Sequence, residues 1–292
     1  MKLAPRNFAQ DSAEGTQHAQ TIARLVLRSL HAELALYPKP GLVSHCDSGA
    51  HRDMDAGTFV RSLFSLRGYF AEIAAAGMRD ARLGELQQIG LRAERRMLQS
   101  TQGINTHRGA IFSLGLLAAA AGLAWARGRE CSDETLRKLI VTRWGRDLRL
   151  AVVAPLPVAS HGQQVASRYA VAGARGEAVH GFPAVFDVGL PQLRSALDQG
   201  AGADEALVHV FFSLLANVAD TNVLFRAGAN GLHFLQREAH AFLASGSVFA
   251  DGWFAHAEAL HRHCIRKNLS PGGCADLLAA TWFVHQLQRL NL

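Results

Sequence analysis

The chain has 292 residues, and 49% of them are apolar, enough to bury a substantial core and to exclude disorder over most of the length. Thirty basic residues against 24 acidic ones give a formal charge of +6. All but 4 of the basic residues are arginines, whose planar fork suits carboxylate and phosphate ligands. Because genome base composition alone can produce such an excess, the charge assigns no function by itself.

Common targeting and nucleotide-binding signatures are missing from the sequence. No charged start followed by an apolar stretch and a cleavage site occurs, and no C-x-x-C pair, so we expect a reduced, cytoplasmic protein. The most apolar segment, residues 110–126, falls short of the roughly 20 residues that span a bilayer, which predicts a buried helix and no membrane association. Neither a phosphate loop nor a strand followed by G-x-G-x-x-G is present, and aromatic residues do not interleave with basic ones as in nucleic-acid binding.

Apolar residues recur at helical spacing through most of the chain. Residues 1–17 lack this periodicity and are predicted to form a loose, flexible N-terminal arm. An apolar stripe from Ile22 to Leu34 marks the first helix, and the cleanest stripe runs from Leu207 to Val218. Further helices are predicted at about 55–76, 81–99, 106–126, 132–150, 231–244, 252–267 and 273–290.

No segment shows the alternation of a β-strand. Residues 150–157 contain Pro155 and Pro157, which would each remove a donor from a β-ladder, so we predict an extended connector there. The sequence therefore predicts an all-α protein in which residues 18–292 form one compact multi-helix domain. Five polar clusters fall at helix ends or in interhelical loops, which favours a ligand site built from those ends.

The first two clusters precede the second helix. Pro38 and Pro40 hold Lys39 on a stiff extended stretch, either to present it to a phosphate or as an ordinary loop with a solvated lysine. Asp53 and Asp55 could converge on one cation if they lie in a loop or at a helix start. Alternatively, Asp55 caps the second helix and Asp53 favours its dipole.

The third and fourth clusters combine glycine with cationic residues. Asn105 or Thr106 is a natural N-cap, which places His107 and Arg108 in a first turn, where cations are disfavoured unless an anion is bound. The alternative is that both side chains point into solvent. Glycine-rich residues 160–183 carry Arg175 and Glu177, as in a backbone that passes close to a ligand or in a surface loop.

The fifth cluster is split between two helix ends. Asn217, Asp220 and Thr221 share one face of a predicted helix, followed by Asn222 and Arg226. In the second part, Ser270 is a plausible N-cap, and two glycines follow Pro271. Each glycine costs about 1 kcal/mol in a helix relative to alanine, which indicates that bare amides are wanted for close ligand approach.

Taken in order, these segments resemble the triphosphoribosyl-dephospho-CoA synthase family, whose members make the prosthetic-group precursor of malonate decarboxylase or citrate lyase. The resemblance covers about residues 20–290 and differs at Ser44, where the family often has an acidic residue, and at Cys274, where serine is common. The matching motifs are PKPGLV at 38–43, GAHRDMD at 49–55, NTHRGA at 105–110, GARGEA at 173–178, DTN at 220–222 and SPGGCADLL at 270–278.

The resemblance implies transfer of the 5-triphosphoribosyl group of ATP to the 2′-hydroxyl of 3′-dephospho-CoA, with release of adenine. Because the triphosphate is carried over intact, no machinery for attack at the γ-phosphate is needed. Breaking the N-glycosidic bond develops oxocarbenium character, which calls for a nearby carboxylate, a base for the incoming hydroxyl and a proton donor for adenine.

Within that reaction, Asp53, Asp55 and Asp220 are the candidates to bind Mg²⁺ or stabilise the sugar cation, and Glu177 is the candidate base. With Glu177, Asp55 and Asp220 form the predicted catalytic set. We expect residues 160–183 to close over the site and exclude water. The residues assigned to the nucleotide and its phosphates are Lys39, His51, Arg52, Asn105, His107, Arg108, Arg175, Asn222, Ser270, Gly272 and Gly273.

Overall likeness to Arg-rich and Ala-rich members favours malonate decarboxylase over citrate lyase. A competing enzyme class is a Mg²⁺-dependent hydrolase of ADP-ribose linkages or nucleotides, in which water takes the place of dephospho-CoA. A third class is a non-catalytic helical adaptor that binds an acidic acyl carrier protein through the arginine surface. We expect the product to pass to a holo-acyl-carrier-protein synthase, and apolar helices of this kind to pair as a homodimer.

Overall fold

The computed structural model describes residues 8–153, 165, 169, 171 and 173–290, and every regular element among them is helical. The all-α prediction is therefore confirmed. The α-helices of the described residues are α1 (Phe8–Ala35), α2 (Ala56–Met78), α3 (Leu83–Ser100), α4 (Arg108–Ala126), α5 (Asp133–Val153), α6 (Gly173–Val179), α7 (Leu190–Asp198), α8 (Ala203–Asn217), α9 (Thr221–Ala244), α10 (Trp253–Arg266) and α11 (Gly272–Arg289). A π-helical turn, Ala184–Gly189, leads into α7, and a 3-10 turn, Ser247–Phe249, precedes α10.

Helix α4 lies at the centre and packs against α1, α2, α3, α5 and α11. Its small residues let backbones touch, since a Cβ on Gly122 would overlap the carbonyl oxygen of Ala74, and one on Gly77 would overlap that of Ala119. The predicted buried helix is confirmed. By length and composition α4 could also cross a membrane, yet 78% of that apolar window is buried inside the protein; α8 and α9 qualify only as a pair, which is bent by 60°.

The predicted N-terminal arm is wrong from Phe8 onward, because α1 begins there. This early part of α1 packs against the end of α4, where the ring of His18 lies 4.6 Å from that of Trp125. A Cβ on Gly15 would contact the same Trp125 ring at 3.5 Å. A tertiary contact of this kind leaves no periodic pattern in the sequence. Residues 1–7 lie outside the described residues.

The middle of the chain is more helical than its composition predicts. Helix α5 continues to Val153, so the extended connector predicted from residue 150 is wrong over its first four residues, and the rest of it lies outside the described residues. Helix α6 occupies part of the glycine-rich 160–183 segment, of which only 165, 169, 171 and 173–183 are described. Helix α9 begins at Thr221, ten residues before its predicted start at 231, and is interrupted at Gly228, where φ is 63°. Glycines in this stretch lower the helical propensity and mask that start.

Candidate active site

Two aspartates connect the first turns of three helices. Asp220 Oδ1 accepts hydrogen bonds from the amides of Asn222 at 2.8 Å and Val223 at 3.2 Å, both in α9. Its Oδ2 accepts from the amide of Cys274 in α11 at 2.8 Å. Asp276, in α11, lies against the start of α4, where a Cβ on Gly109 would be 1.9 Å from its Oδ2, and the Ala110 amide lowers its pKa. Amides in a first helical turn have no partner within the helix and carry partial positive charge, so all three N-termini stabilise these carboxylates.

A third carboxylate, Glu33, belongs to the same acidic cluster, which we define as Glu33, Asp220 and Asp276. Burial raises the pKa of Asp276 well above its ordinary value, and repulsion from Glu33 and Asp220 raises it further. Burial also raises the pKa of Asp220, although its three amide hydrogen bonds oppose the shift. Ionised carboxylates are thus costly here in the absence of a ligand that brings positive charge.

Neither Glu33 nor Asp276 is among the site residues predicted from the sequence. Glu33 lies at a helical stripe position next to Leu30 and Leu34, where an acidic residue interrupts an otherwise apolar face. Asp276 stands inside the SPGGCAD motif itself. The apolar stripe of the first helix therefore contains a signal for Glu33, whereas the role of Asp276 depends on the contact between α11 and α4.

Lys39 is fully buried, so the alternative of a solvated lysine is wrong. Its Nζ donates to both the backbone carbonyl and the carboxylate of Glu33. Burial lowers the pKa of Lys39, and the charge of Glu33 opposes that shift. A lysine ammonium has three donors, so one remains for a ligand.

His107 is the residue before α4 and is 2% exposed, so it does not point into solvent. Its Nδ1 lies 2.7 Å from Ser62 Oγ, and the ring meets Phe59 edge-on. Among the described residues Nε2 has no hydrogen-bond partner. Burial and the nearby charge of Lys39 lower the pKa of His107 to about 3, so the imidazole is neutral. A buried polar atom without a partner is rare and here indicates a place for a ligand atom.

Arg108 and Asn105 have structural partners. The guanidinium of Arg108 is 42% exposed and pairs with Glu94 on α3. Asn105 Oδ1 accepts a hydrogen bond from the Arg108 amide at 3.1 Å, but His107 occupies the N-cap position of α4, so the prediction of an N-cap at Asn105 or Thr106 is wrong. Arg108 therefore pairs with the carboxylate of Glu94, where the sequence predicts a bound anion.

Asp53, Asp55 and Asp220, the residues predicted to bind magnesium, have different surroundings. Asp55 Oδ1 accepts hydrogen bonds from the amide and hydroxyl of Thr58, both at 2.8 Å, so Asp55 is the N-cap of α2, as the alternative interpretation had it. Asp53 is 62% exposed and its neighbour Arg52 is exposed as well. Asp220, in contrast, is buried. Within the described ranges no group of three or more His, Cys, Asp and Glu side chains is arranged to hold a metal ion.

His51 belongs to a second network that ties its loop to α9 and α11. Its Nε2 lies 2.8 Å from Ser270 Oγ, and Arg226 donates to its Nδ1 at 3.1 Å. Arg226 also donates to the carbonyl of Ala50 and to Asn268 Oδ1. Burial and the charge of Arg226 lower the pKa of His51.

The start of α11 differs from its prediction. Pro271 occupies the N-cap position, so Ser270 is not the cap. A Cβ on Gly272 would lie 2.9 Å from Asn222 Nδ2, and one on Gly273 would lie 2.9 Å from Asp220 Oδ2. The two glycines thus make room primarily for the side chains of Asn222 and Asp220, at the α8–α9 junction. Asn217 ends α8, and Asp220 caps α9, so these residues do not share one helix face.

Glu177 and Arg175 lie on α6. Glu177 Oε2 accepts a hydrogen bond from the amide of Ala184 at 3.0 Å, and burial raises the pKa of Glu177. Arg175 donates to the carbonyl of Ala151 at 3.0 Å. Burial, Asp220 and, more weakly, Asp276 and Glu177 raise the pKa of the Cys274 thiol, so the Glu177 charge lies within electrostatic range of α11.

Asp276→Asn will raise the free energy of unfolding of the ligand-free protein at pH 7.5, because the amide carries no charge to be desolvated or repelled by Glu33 and Asp220. The folded-state pKa of Asp276 is raised, so stability is full below the unfolded-chain pKa of about 4 and is lost as the pH rises above it. The gain of the variant will therefore shrink in denaturant unfolding as the pH approaches 5.

Asp133→Asn is the matched control, because Asp133 is paired with Arg194 at 2.8 Å and its loss should destabilise the protein at pH 7.5. A destabilised Asp276→Asn variant at pH 7.5 would contradict the electrostatic cost assigned to the acidic cluster.

Comparison with known proteins identifies the family. Residues 19–292 match CitG, ATP:dephospho-CoA triphosphoribosyl transferase. A relative from Stutzerimonas stutzeri strain A1501 that carries the name 2-(5''-triphosphoribosyl)-3'-dephosphocoenzyme-A synthase is 40% identical over 277 residues, covering 92% of each chain. A relative of the same name from Acinetobacter calcoaceticus is 35% identical over 273 residues, covering 94% of this chain and 93% of its own. A solved structure from Archaeoglobus fulgidus with a triphosphoribosyl-dephospho-CoA synthase title aligns over 77% of this chain and 98% of its own, at 16% identity and a TM-score of 0.47. The chain belongs to the CitG family of ATP:dephospho-CoA triphosphoribosyl transferases and is a transferase.

Proposed function

We propose that the chain transfers the 5-triphosphoribosyl group of ATP to the 2′-hydroxyl of 3′-dephospho-CoA, releases adenine, and so makes the prosthetic-group precursor of the malonate decarboxylase acyl carrier protein. The observation that carries this proposal is the acidic cluster at three helix N-termini, in which Glu33 and Asp220 are buried, beside the buried Lys39 and the unpartnered Nε2 of His107. Such a site combines carboxylates for a sugar cation with donors for an anion. A transfer from ATP needs both.

The donors suit the triphosphate of ATP. Lys39 contributes a positive charge close to His107, and one of its three donors remains for a phosphate oxygen. The imidazole of His107 is neutral, and its Nε2 can add one hydrogen bond to the triphosphate. In this proposal Arg108 and Asn105 support the start of α4 rather than contact phosphate.

The carboxylates suit the ribose and a magnesium ion brought by ATP. Asp220 is held rigidly by three amides, which fixes a negative charge where oxocarbenium character develops. Magnesium favours oxygen ligands and is commonly bound through one or two carboxylates together with substrate phosphates. Asp220 and Asp276 fit that description and would hold the ion, which would neutralise part of the triphosphate charge.

Glu177 is proposed as the base that takes the proton of the attacking 2′-hydroxyl. Its raised pKa reflects a largely buried carboxylate, and Oε2 is anchored by the Ala184 amide. The other oxygen then remains for the hydroxyl. A base with a pKa closer to neutrality is a better proton acceptor in the transition state than an ordinary surface glutamate.

The malonate decarboxylase assignment rests on overall likeness to Arg-rich and Ala-rich family members, while the family name CitG points towards citrate lyase. The product is the same in both pathways, so the acceptor carrier protein decides between them. Free cysteines at positions 46, 131, 264 and 274 support a reducing, cytoplasmic location. Transfer of the product to a holo-acyl-carrier-protein synthase and a homodimeric state remain predictions.

The test is to incubate the purified protein with ATP, Mg²⁺ and 3′-dephospho-CoA, and to follow free adenine and the mass of the CoA product. We expect adenine and triphosphoribosyl-dephospho-CoA in equal amounts, and neither after chelation of the metal. Adenine released equally without the acceptor would establish a nucleotide hydrolase instead. No adenine under any condition would overturn the enzymatic proposal and favour the adaptor.

Glu177→Gln will lower kcat by about 100-fold or more, because the amide cannot accept the hydroxyl proton. The affinity for ATP should change little, since Glu177 is not assigned to the nucleotide. The matched control is Glu85→Gln, at an exposed surface ion pair with Arg79. A Glu177→Gln variant that is folded and turns over at the wild-type rate would exclude Glu177 as the base.

A further inference from the structure

Two consecutive residues after α6 adopt the left-handed backbone conformation. Gly181 has a φ of 73° and Phe182 a φ of 56°. A side chain at Gly181 has no room, because its Cβ would lie 2.7 Å from Arg137 Cγ. Phe182 is an outlier, since a bulky residue rarely takes a positive φ. Its ring is fully buried, so packing holds the residue in this strained conformation.

The strained turn lies between Glu177 and the next helical segment and is bonded to Glu177 at two points. The Phe182 amide donates to the backbone carbonyl of Glu177 at 2.7 Å. Two residues later, the Ala184 amide donates to Glu177 Oε2 at 3.0 Å. Ala184 also begins the π-helical turn Ala184–Gly189, and such turns are rare and frequently lie at functional sites. Glu177 is thus fixed at its carbonyl and at its carboxylate.

We propose that Phe182 is a positioning residue for the proposed base, and that its turn aims Glu177 Oε1 at the 2′-hydroxyl by holding Oε2 on the Ala184 amide. This role rests on the proposed function and deepens it. Backbone strain persists only where the surrounding structure over-determines it, and it clusters at active sites. A base whose carboxylate cannot rotate keeps one oxygen in the geometry that proton transfer requires.

The alternative is that Glu177 only caps the start of a helix. An amide in a first helical turn needs an acceptor outside the helix, and a carboxylate suits that position. The chain contains such a cap at the start of α8, where the Gly202 amide donates to Glu205 Oε2 at 2.8 Å. Glu205 has no part in the proposed reaction. The bond between Gly202 and Glu205 is therefore a matched control for the bond between Ala184 and Glu177.

The two roles differ in what they predict for the ionisation of Glu177. Burial raises the pKa of Glu177, and the Ala184 amide is the strongest of the contacts that lower it. Arg137 and Asp187 pair with each other and have opposite effects on Glu177. Loss of the Ala184 bond should therefore raise the pKa, so that the base needs a higher pH to ionise. The ionisable groups that interact with Glu177 within the described residues are Arg137 of α5, His180 after α6, Asp187 of the π-helical turn and Cys274 of α11.

Replacing the Ala184 amide by an ester removes the donor and keeps the side chain. We expect kcat to fall and its acid limb to move to higher pH, by about 10-fold or more in kcat on that limb, the effect of one hydrogen bond to a charged group. The KM for ATP should change little. The same ester at Gly202 should leave the pH profile of kcat unchanged. If the ester at position 184 leaves the acid limb in place, Glu177 is only a cap and the proposal is wrong.

Glu177 can also be observed without the reaction. Carbon-13 nuclear magnetic resonance of protein labelled at the glutamate carboxyls, with Glu177→Gln for assignment, gives the pH midpoint of Glu177 in the ligand-free protein. We expect a higher midpoint in the protein with the Ala184 ester than in the wild type. Equal midpoints would overturn the proposal. If the midpoint moves but the wild type releases no adenine, the proposed function fails and the hold of the turn on Glu177 stands.

Substitutions of Phe182 test the link between the strained turn and the base. Phe182→Leu keeps a large buried side chain and should keep the wild-type acid limb, whereas Phe182→Gly loses the ring and should move the limb in the same direction as the ester. In the ester protein, Phe182→Gly should move it no further. Phe212→Ala, at a buried ring stacked on Phe242, controls for lost packing and should leave the limb in place. A folded Phe182→Gly protein with the wild-type limb would show that Phe182 does not position the base.

Discussion

The arrangement of this protein depends on the burial of carboxylates at the first turns of α4, α9 and α11. Asp220 links α9 to α11 through both of its oxygens, and Asp276 links α11 to α4. The helices could not converge so closely without Gly273 and Gly109, where a Cβ would collide with Asp220 and Asp276 respectively. The same contacts that hold three helices together therefore create the acidic cluster.

The rest of the fold places His107 and Lys39 beside the acidic cluster. Helix α4 brings His107 to its buried N-terminal end, and α1 contributes Glu33 with Lys39 directly after it. Burial raises the pKa of both aspartates while it lowers the pKa of Lys39 and of His107. At neutral pH the shifts of the two aspartates and of Lys39 are costs to the ligand-free protein, whereas the neutral His107 adds none. A bound ATP with its magnesium ion would offset these costs, which is how stability and function come to oppose one another at such a site.

The sequence predicts most helices because their apolar stripes are continuous, and it predicts the location of the site because polar motifs mark helix ends. Individual roles are less accessible. The sequence around Asp55 is equally compatible with a metal ligand and with a helix N-cap, and only the hydrogen bond with Thr58 identifies Asp55 as the N-cap. The sequence around Lys39 is compatible with a solvated side chain, and only the structure shows that it is hydrogen-bonded to Glu33. Arg226, whose partners are 42 to 176 residues away, has no local signal at all.

In this proposal the nucleotide and its metal ion stabilise Asp276 and its neighbours. The most direct measurement compares the thermal unfolding of the wild type and Asp276→Asn with and without Mg²⁺ and ATP. A ligand that binds only the folded state raises the midpoint by an amount set by its affinity. We expect a clear increase for the wild type and little or none for Asp276→Asn. An equal increase in both proteins would show that the nucleotide binds elsewhere and would contradict this account of the site.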